Sequence, residues 1–547
     1  MKLKVTIGII VSLLLVGAIG LLSYGFFFSS AEDDALALVP QESIGYFNVF
    51  LSPSNGQKQA LQDLVEKTPF DSPEEALYEL RSILDEGLKD TGCNFEEDID
   101  PWLGKQIAGF LSETGDGSDD QNEGQGGVLV ATDDADAALA SLEECGDEDY
   151  RNAEDRSYEG VDYKFQDNTA IGIVESYLVI ATETGLKQVV DTAASGNSLE
   201  GSEKYENAVE PLTSDRIATF YLDVKEVLRQ VGESGAGGAE QSAAIQSFYG
   251  TVGDQPLAGG LFLRSDAIVF EYAAGVPEEG AAGDLLGAAA SALDSDVLSE
   301  LPGGSWGALG IGSFGEYVDS TLDTFGQFTP GGRAVIEQQF EAATGLSLSE
   351  DVLSWMGDLG IFVQGTSPTT LSGGLVVETT DPAASARLIE ALEKLARKEK
   401  APVKELTIPN AEGFSIQDPF QPQPINVAAS EDRVVVAYGN VATEQALEGG
   451  VTLAEDATFQ VAAEAMGEGL TMSAYFEADS IQTLVEDTVL PSLTTFDPES
   501  FESVPNVEAQ QTYEESVKPF IEPLSFIAFG SRIDDETSLY RMVIGVE

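Results

Sequence analysis

The second half of this chain repeats the order of the first, and that repeat constrains the fold more than any other feature. Thr91-Gly-Cys-Asn-Phe-Glu-Glu-Asp-Ile-Asp-Pro-Trp102-Leu-Gly104 recurs as Thr344-Gly-Leu-Ser-Leu-Ser-Glu-Asp-Val-Leu-Ser-Trp355-Met-Gly357, identical at six of 14 positions. Further on, Gly126-Gly-Val-Leu-Val-Ala-Thr-Asp-Asp134 matches Gly373-Gly-Leu-Val-Val-Glu-Thr-Thr-Asp381. Leu178-Val-Ile-Ala181 matches Val434-Val-Val-Ala437, and Phe220-Tyr-Leu-Asp223 matches Ala474-Tyr-Phe-Glu477. The offsets are 253, 247, 256 and 254 residues, so the order survives with small insertions only. Two homologous domains are expected, 36–275 and 297–547, joined by a Gly/Ala-rich linker at 276–296.

Within a half the patterning is mixed. Residues 44–51 read as a strand, 60–65 and 78–88 as helices, 106–111 and 128–131 as strands. Helix 135–145 is started by Asp133 and Asp134, whose carboxylates accept from its first free amides and suit its positive dipole end. Alternating runs at 161–165 and 171–180 read as a hairpin. Each half closes with another hairpin, 258–263 with 267–272 and 526–531 with 539–546. Short-turn strands and grouped helices predict an α+β fold: two homologous domains with mainly antiparallel sheets and flanking helices.

The 24 residues from Val5 to Phe28 carry no charge and would span about 36 Å as a helix. Lys2 and Lys4 precede them, and Glu32, Asp33 and Asp34 follow. Basic flanks stay inside, so a cytoplasmic stub (1–4), a transmembrane signal anchor (5–28) and an extracytoplasmic body are expected. Secretion after cleavage near Ala31 is the alternative, although signal-peptide cores are usually shorter, about 7–15 residues.

Charge and residue usage exclude whole function classes. There are 27 Lys+Arg against 95 Asp+Glu, a net charge of −68, which repels phosphate backbones and argues against nucleic-acid partners. Histidine is absent, which removes Ser-His-Asp and Cys-His nucleophile systems and imidazole metal sites. Gly303-Gly-Ser305-Trp-Gly307 satisfies the nucleophile-elbow pattern G-x-S-x-G without a histidine base, and reads as a Gly-rich strand entry. Gly310-Ile-Gly312-Ser-Phe-Gly315 satisfies G-x-G-x-x-G but lacks the parallel βαβ setting a dinucleotide needs. The acidic run Asp116 to Gly124 has Gln121 and Gly127 where a calcium loop needs Gly and Glu, so it reads as a solvated insertion. No catalytic, cofactor or metal residue is assigned.

Cys93 and Cys145 are candidates for a disulfide, which an exported body can keep; the other reading is two separate buried thiols. Across the repeat they correspond to Leu346 and Leu392, so both positions are expected to face a core. One segment departs from the acidic pattern. Arg387, Lys394, Arg397, Lys398, Lys400 and Lys404 supply six of the 11 basic residues after residue 296. With Leu388, Leu392 and Leu395 as an apolar stripe, this is either an ordinary surface helix or a docking face for an acidic partner.

Leu38-Val-Pro40 opening the first strand, the helix pair, Asp100-Pro-Trp102-Leu-Gly104 and the Gly-Gly-strand-Asp element together resemble a bacterial "domain of unknown function" family, number three-three-five-two. The resemblance covers nearly the whole chain beyond residue 35 and implies two tandem copies in an exported, N-terminally anchored protein. It implies no activity and no catalytic residue. The second half departs from the pattern, with Ser354-Trp355-Met356-Gly357 in place of Pro-Trp-Leu-Gly. The expected role is a non-catalytic binding or envelope-organising module with an unidentified envelope ligand; a carboxylate- or metal-dependent hydrolase is the alternative.

Overall fold

The repeated Trp-x-Gly segment builds the same small structure at both places, and its hydrogen bonds explain which residues recur. In the computed structural model, Phe95–Ile99 and Leu348–Val352 each form a single π-helical turn. Asn94 caps the first, accepting from Glu97 N, and Ser347 caps the second, accepting from Glu350 N. Asp98 and Asp351 accept from the backbone N of Asn94 and Ser347, at 2.7 and 2.9 Å. Their carbonyls then accept the indole N–H of Trp102 and Trp355, at 2.6 and 2.7 Å. Thr132 and Thr380 donate to the carbonyls of the two tryptophans. Asp134 and Asp381 cap the helices that follow. Gly104 is required by close approach, because a Cβ there would lie 2.8 Å from the Ala131 backbone.

The structure describes residues 32–68, 93–114, 124–145, 151–234, 255–275, 292–293, 295–326, 332–406, 408, 411–497, 502–534 and 537–547. The expected anchor from Val5 to Phe28, helix 78–88, the core of the acidic run Asp116 to Gly124 and most of the linker at 276–296 lie outside them. The chain divides into two compact units, Met1–Val276 and Pro277–Glu547.

The first unit holds β1 (Gly45–Phe50), β2 (Leu103–Glu113), β3 (Gln125–Thr132), β4 (Glu154–Tyr158), β5 (Val161–Gln166), β6 (Thr169–Val174), β7 (Tyr177–Thr182), β8 (Ala218–Leu222), β9 (Leu257–Arg264) and β10 (Ala267–Gly275). They pair antiparallel in the order β10-β9-β8-β1-β2-β3-β7-β6-β5-β4. The second unit holds β11 (Ser305–Ile311), β12 (Met356–Gln364), β13 (Ser372–Thr379), β14 (Val403–Glu405), β15 (Glu412–Ile416), β16 (Ile425–Ala429), β17 (Arg433–Tyr438), β18 (Thr471–Glu477), a ribbon of β19 (Thr494–Asp497) and β20 (Glu502–Pro505), β21 (Leu524–Ile533) and β22 (Thr537–Val546). Apart from the ribbon they pair in the order β22-β21-β18-β11-β12-β13-β17-β16-β15-β14. Position for position, the two orders correspond.

These strands correct the expected fold class. Where two domains with sheets of their own and a leading transmembrane helix are expected, all strands but β19 and β20 belong to one antiparallel sheet of 20 strands with helices. No helix among the described residues is long and apolar enough to cross a membrane. The physical reason is that a sheet's extent is set by which strand edges find backbone partners, and a repeated side-chain pattern carries no signal for that. The hairpin expected at 161–180 is also corrected: it is part of a four-stranded meander, β4 to β7. Its turns place Glu159 and Gly160, Asp167 and Asn168, and Glu175 at positive φ. Gly160 and the Asp167-Asn168 pair are turn signals in sequence, whereas Glu159 and Glu175 are not.

Candidate functional site

Helix Pro382–Lys398 begins with Pro382 in its first turn, and Asp381 accepts from Ala383 N and Ala384 N. Ala384, Leu388 and Ile389 bury one face with Trp355, Phe414 and Val427, and Leu392 packs at the margin of the same cluster. The helix Gly332–Thr344 lies alongside with no buried residue. The two do not seal against each other, and a groove of about 280 Å³ remains. Leu346 and Leu395 belong to its apolar part; Arg387, Glu390, Lys394 and Lys398 are its charged groups. The predicted stripe is thereby divided, with Leu388 and Leu392 on the core and Leu395 in the groove.

Three cations against one carboxylate is unusual in a chain of −68. Lys394 pairs with Glu390 at 2.7 Å and holds that carboxyl below its ordinary range. Arg387 approaches Asp351 only to 3.8 Å, and Lys398 makes no ion pair among the described residues. Arg397, grouped with these residues from sequence, instead donates to Glu393 at 2.9 and 2.6 Å and is not part of the groove wall. The neighbouring helix is held by Arg333, which reaches Asp319 (2.5 Å), Asp323 (2.7 Å) and Glu337 (2.7 Å) and donates to Ser349 Oγ.

The remaining sequence candidates fall elsewhere. Ser305 is 2% exposed and its hydroxyl donates to Pro302 O at 2.6 Å, so the G-x-S-x-G match is a strand entry. Gly310 to Gly315 runs from the antiparallel β11 into helix Phe314–Gly326, where a Cβ on Gly315 would meet Leu353 O at 2.2 Å. Those glycines serve packing. Cys93 is disulfide-bonded, and the other cysteine of the chain is Cys145, at the end of helix Ala135–Cys145. Among the described residues no group of three or more acidic or cysteine side chains is placed to hold a metal ion.

Sequence reasoning missed a buried polar cluster in the first unit. Tyr46 donates to both carboxylate oxygens of Asp33, at 2.7 and 2.9 Å. Burial pushes the Asp33 carboxyl up to about 6, against the opposing pull of the Tyr46 hydrogen bond and the Arg216 charge. Burial and the Asp33 charge push the Tyr46 hydroxyl well above its usual range. Gln106, fully buried, donates to the Tyr177 hydroxyl, and Lys105 pairs with Asp34. The rings of Tyr46 and Tyr221 both meet Tyr205 edge-on, at 5.9 and 5.3 Å. The available signal is in β1, where Asn48 alternates with Tyr46 and Phe50 on a strand otherwise apolar on that face.

A family model described as Protein of unknown function (DUF3352) matches residues 5–510 in a single span. That span runs through both units and by itself does not divide the family pattern into two copies. No curated protein matches the sequence. Among solved structures, crystal form I of TP0453 aligns at 9% identity, covering 46% of this chain and 82% of that one, with a TM-score of 0.23. An overlap this loose carries no argument.

Proposed function

We propose that this chain, which belongs to the family described as Protein of unknown function (DUF3352), is an extracytoplasmic, non-catalytic binding protein held at the cell membrane through the apolar segment from Val5 to Phe28. Its binding surface is the groove between helices Gly332–Thr344 and Pro382–Lys398. Its two halves are tandem copies of one ancestral sequence, and the groove lies in the second.

One observation supports the binding role: the cations Arg387, Lys394 and Lys398 line a single concave surface with one carboxylate, Glu390, in a chain that carries 95 acidic residues against 27 basic ones. Holding like charges together beside apolar side chains is unfavourable unless something offsets it, and an anionic ligand does so. The four collinear sequence matches and the corresponding strand orders support the duplication.

The test has two readings. Membrane fractions should contain the protein with an intact N-terminus by mass, and a mature start near Ala31 would replace retention with secretion. The purified protein should turn over no generic ester, peptide, phosphate or glycoside, with or without calcium or magnesium. Turnover abolished by one Asp or Glu substitution that leaves the fold intact would make it a hydrolase.

A further inference from the structure

We infer that the groove recognises an acidic amphipathic peptide helix of a partner protein, an inference that rests on the groove being the binding surface. Arg387, Lys394 and Lys398 stand at i, i+7 and i+11 of one helix. At about 1.5 Å per residue they form a row about 16 Å long. A single phosphate or small carboxylate reaches Lys394 and Lys398, about 6 Å apart along the axis, but not Arg387 two turns away. A partner helix with carboxylates at the same spacing meets all three.

The groove's apolar part selects for the rest of the partner. Leu346 and Leu395 lie beside the cations, so an occupant must bring an apolar stripe next to its acidic one. That is the helix-in-groove mode, in which anchors repeat at i, i+3, i+4 and i+7. Arg387 and Lys398 are the free-handed members, one at 3.8 Å from its nearest carboxylate and the other unpaired among the described residues. Lys394 can exchange Glu390 for a partner carboxylate at small cost, because that pair is exposed, 71% and 65%. A nucleic-acid occupant is disfavoured by the surrounding charge of −68.

The test uses the full chain and a fluorescein-labelled helical peptide with Glu at i, i+4, i+7 and i+11 and Leu between them, read by anisotropy. Saturable binding that weakens as salt is raised from low to molar concentration is expected. The double variant K394E/K398E should lose about tenfold or more in affinity, while R397E on the same helix but outside the groove should change it less than about twofold. Circular dichroism checks that each variant folds, and the R387E variant supplies the same test from the other end of the row. Wild-type affinity in K394E/K398E and R387E would overturn the inference. So would competition by orthophosphate as effective as by unlabelled peptide, which makes this a small-anion site. Self-association of the chain abolished by K394E/K398E would overturn it in favour of a second copy as occupant. Absence of peptide binding removes the partner class alone, whereas the turnover assay tests the non-catalytic reading independently.

Discussion

The helix after the third strand of each unit occupies the same place in the chain order and has become two different things. In the first unit it is Ala135–Cys145, 11 residues with no basic side chain, ending on a cysteine whose counterpart Cys93 is disulfide-bonded. In the second it is Pro382–Lys398, 17 residues, ending in Arg397 and Lys398. Where the first unit has Cys93 and Cys145, the second has Leu346 and Leu392, both packed at the margin of the Trp355 cluster. One unit ties this corner covalently; the other holds it by apolar packing and is free to carry charge along the helix. The centre of the sheet differs in the reverse sense. By strand register, Ala308 stands opposite Phe362 and Tyr475 as Tyr46 stands opposite Phe110 and Tyr221. Gly310 then corresponds to Asn48, and Phe459 meets Tyr475 at 5.3 Å where Tyr205 meets Tyr221. Among the described residues, the first unit holds the Asp33–Tyr46 cluster and the second holds the cationic groove.

The largest expected effect breaks the covalent side of the comparison. Cys93 and Cys145 are 52 positions apart, and a bridge closing that loop is worth up to about 4 kcal/mol in the chain-entropy model. The C93S/C145S variant should therefore lose hydrogen-exchange protection in the first unit while residues 332–398 keep theirs. Unchanged protection in both regions would show that the first unit is held as the second is, by packing.

Next comes Asp33. Its carboxyl is raised to about 6 from an ordinary 3.8, so the folded state binds the proton more tightly than the unfolded chain. Stability from this group is complete below 3.8 and is lost as pH rises through 6. Lowering pH from 7.5 to 5 should stabilise segment 32–50 by at most about 1.4 kcal/mol, with about 3 kcal/mol reached only below 3.8, and Asp33→Asn should abolish that dependence. In the second unit Ser295 and Asp358 share a hydrogen bond in the corresponding region, and burial raises the nearby Glu378 carboxyl, so a smaller rise of the same sign is expected there. A pH response of equal size in both units contradicts the assignment.

Arg333 sharpens the other side. Its guanidinium, 22% exposed, meets three carboxylates, and Arg333→Ala leaves Asp319, Asp323 and Glu337 repelling one another. A loss of about 1–2 kcal/mol is expected, seen as faster exchange in helix Gly332–Thr344 with the first unit unaffected.

The smallest effect concerns the helix after the seventh strand. In the first unit Glu183 accepts from Tyr163 and pairs with Arg156 and Lys187, which hold its carboxyl down to about 2. That stability is present above pH 4.5 and is lost as pH falls toward 2. Glu183→Gln should flatten the acid limb of unfolding by about 1 kcal/mol or less, given partial exposure. Helix Asn440–Glu448 has no acidic residue in its first turn and should show no matching limb.

Much of the groove was legible before any coordinates. A run of Lys and Arg in so acidic a chain stands out, and leucines at helical spacing place it on a surface helix with one buried face. What the pattern could not separate was Arg397 from Lys398: both lie on the exposed side, and only the position of helix Gly332–Thr344 decides which of them lines a groove. The Asp33 cluster was nearly invisible. Asp33 reads as one more acid in the run Glu32-Asp33-Asp34, and nothing local says that Tyr46, 13 residues on, will close over it.

The sequence by itself determined the local devices: the capped π-helical turns before Trp102 and Trp355, the Asp134 and Asp381 helix starts, the strand alternation and their order in the chain. Each rests on residues within a few positions of one another, so spacing alone encodes it. Only the tertiary structure decided that the strands join in one sheet of 20, that Asp33 is half-buried against Tyr46, and that two helices leave a groove with cations along it. Those outcomes depend on contacts between residues far apart in the chain, and the free energy of burying a charge or pairing a strand edge is set by what arrives from elsewhere.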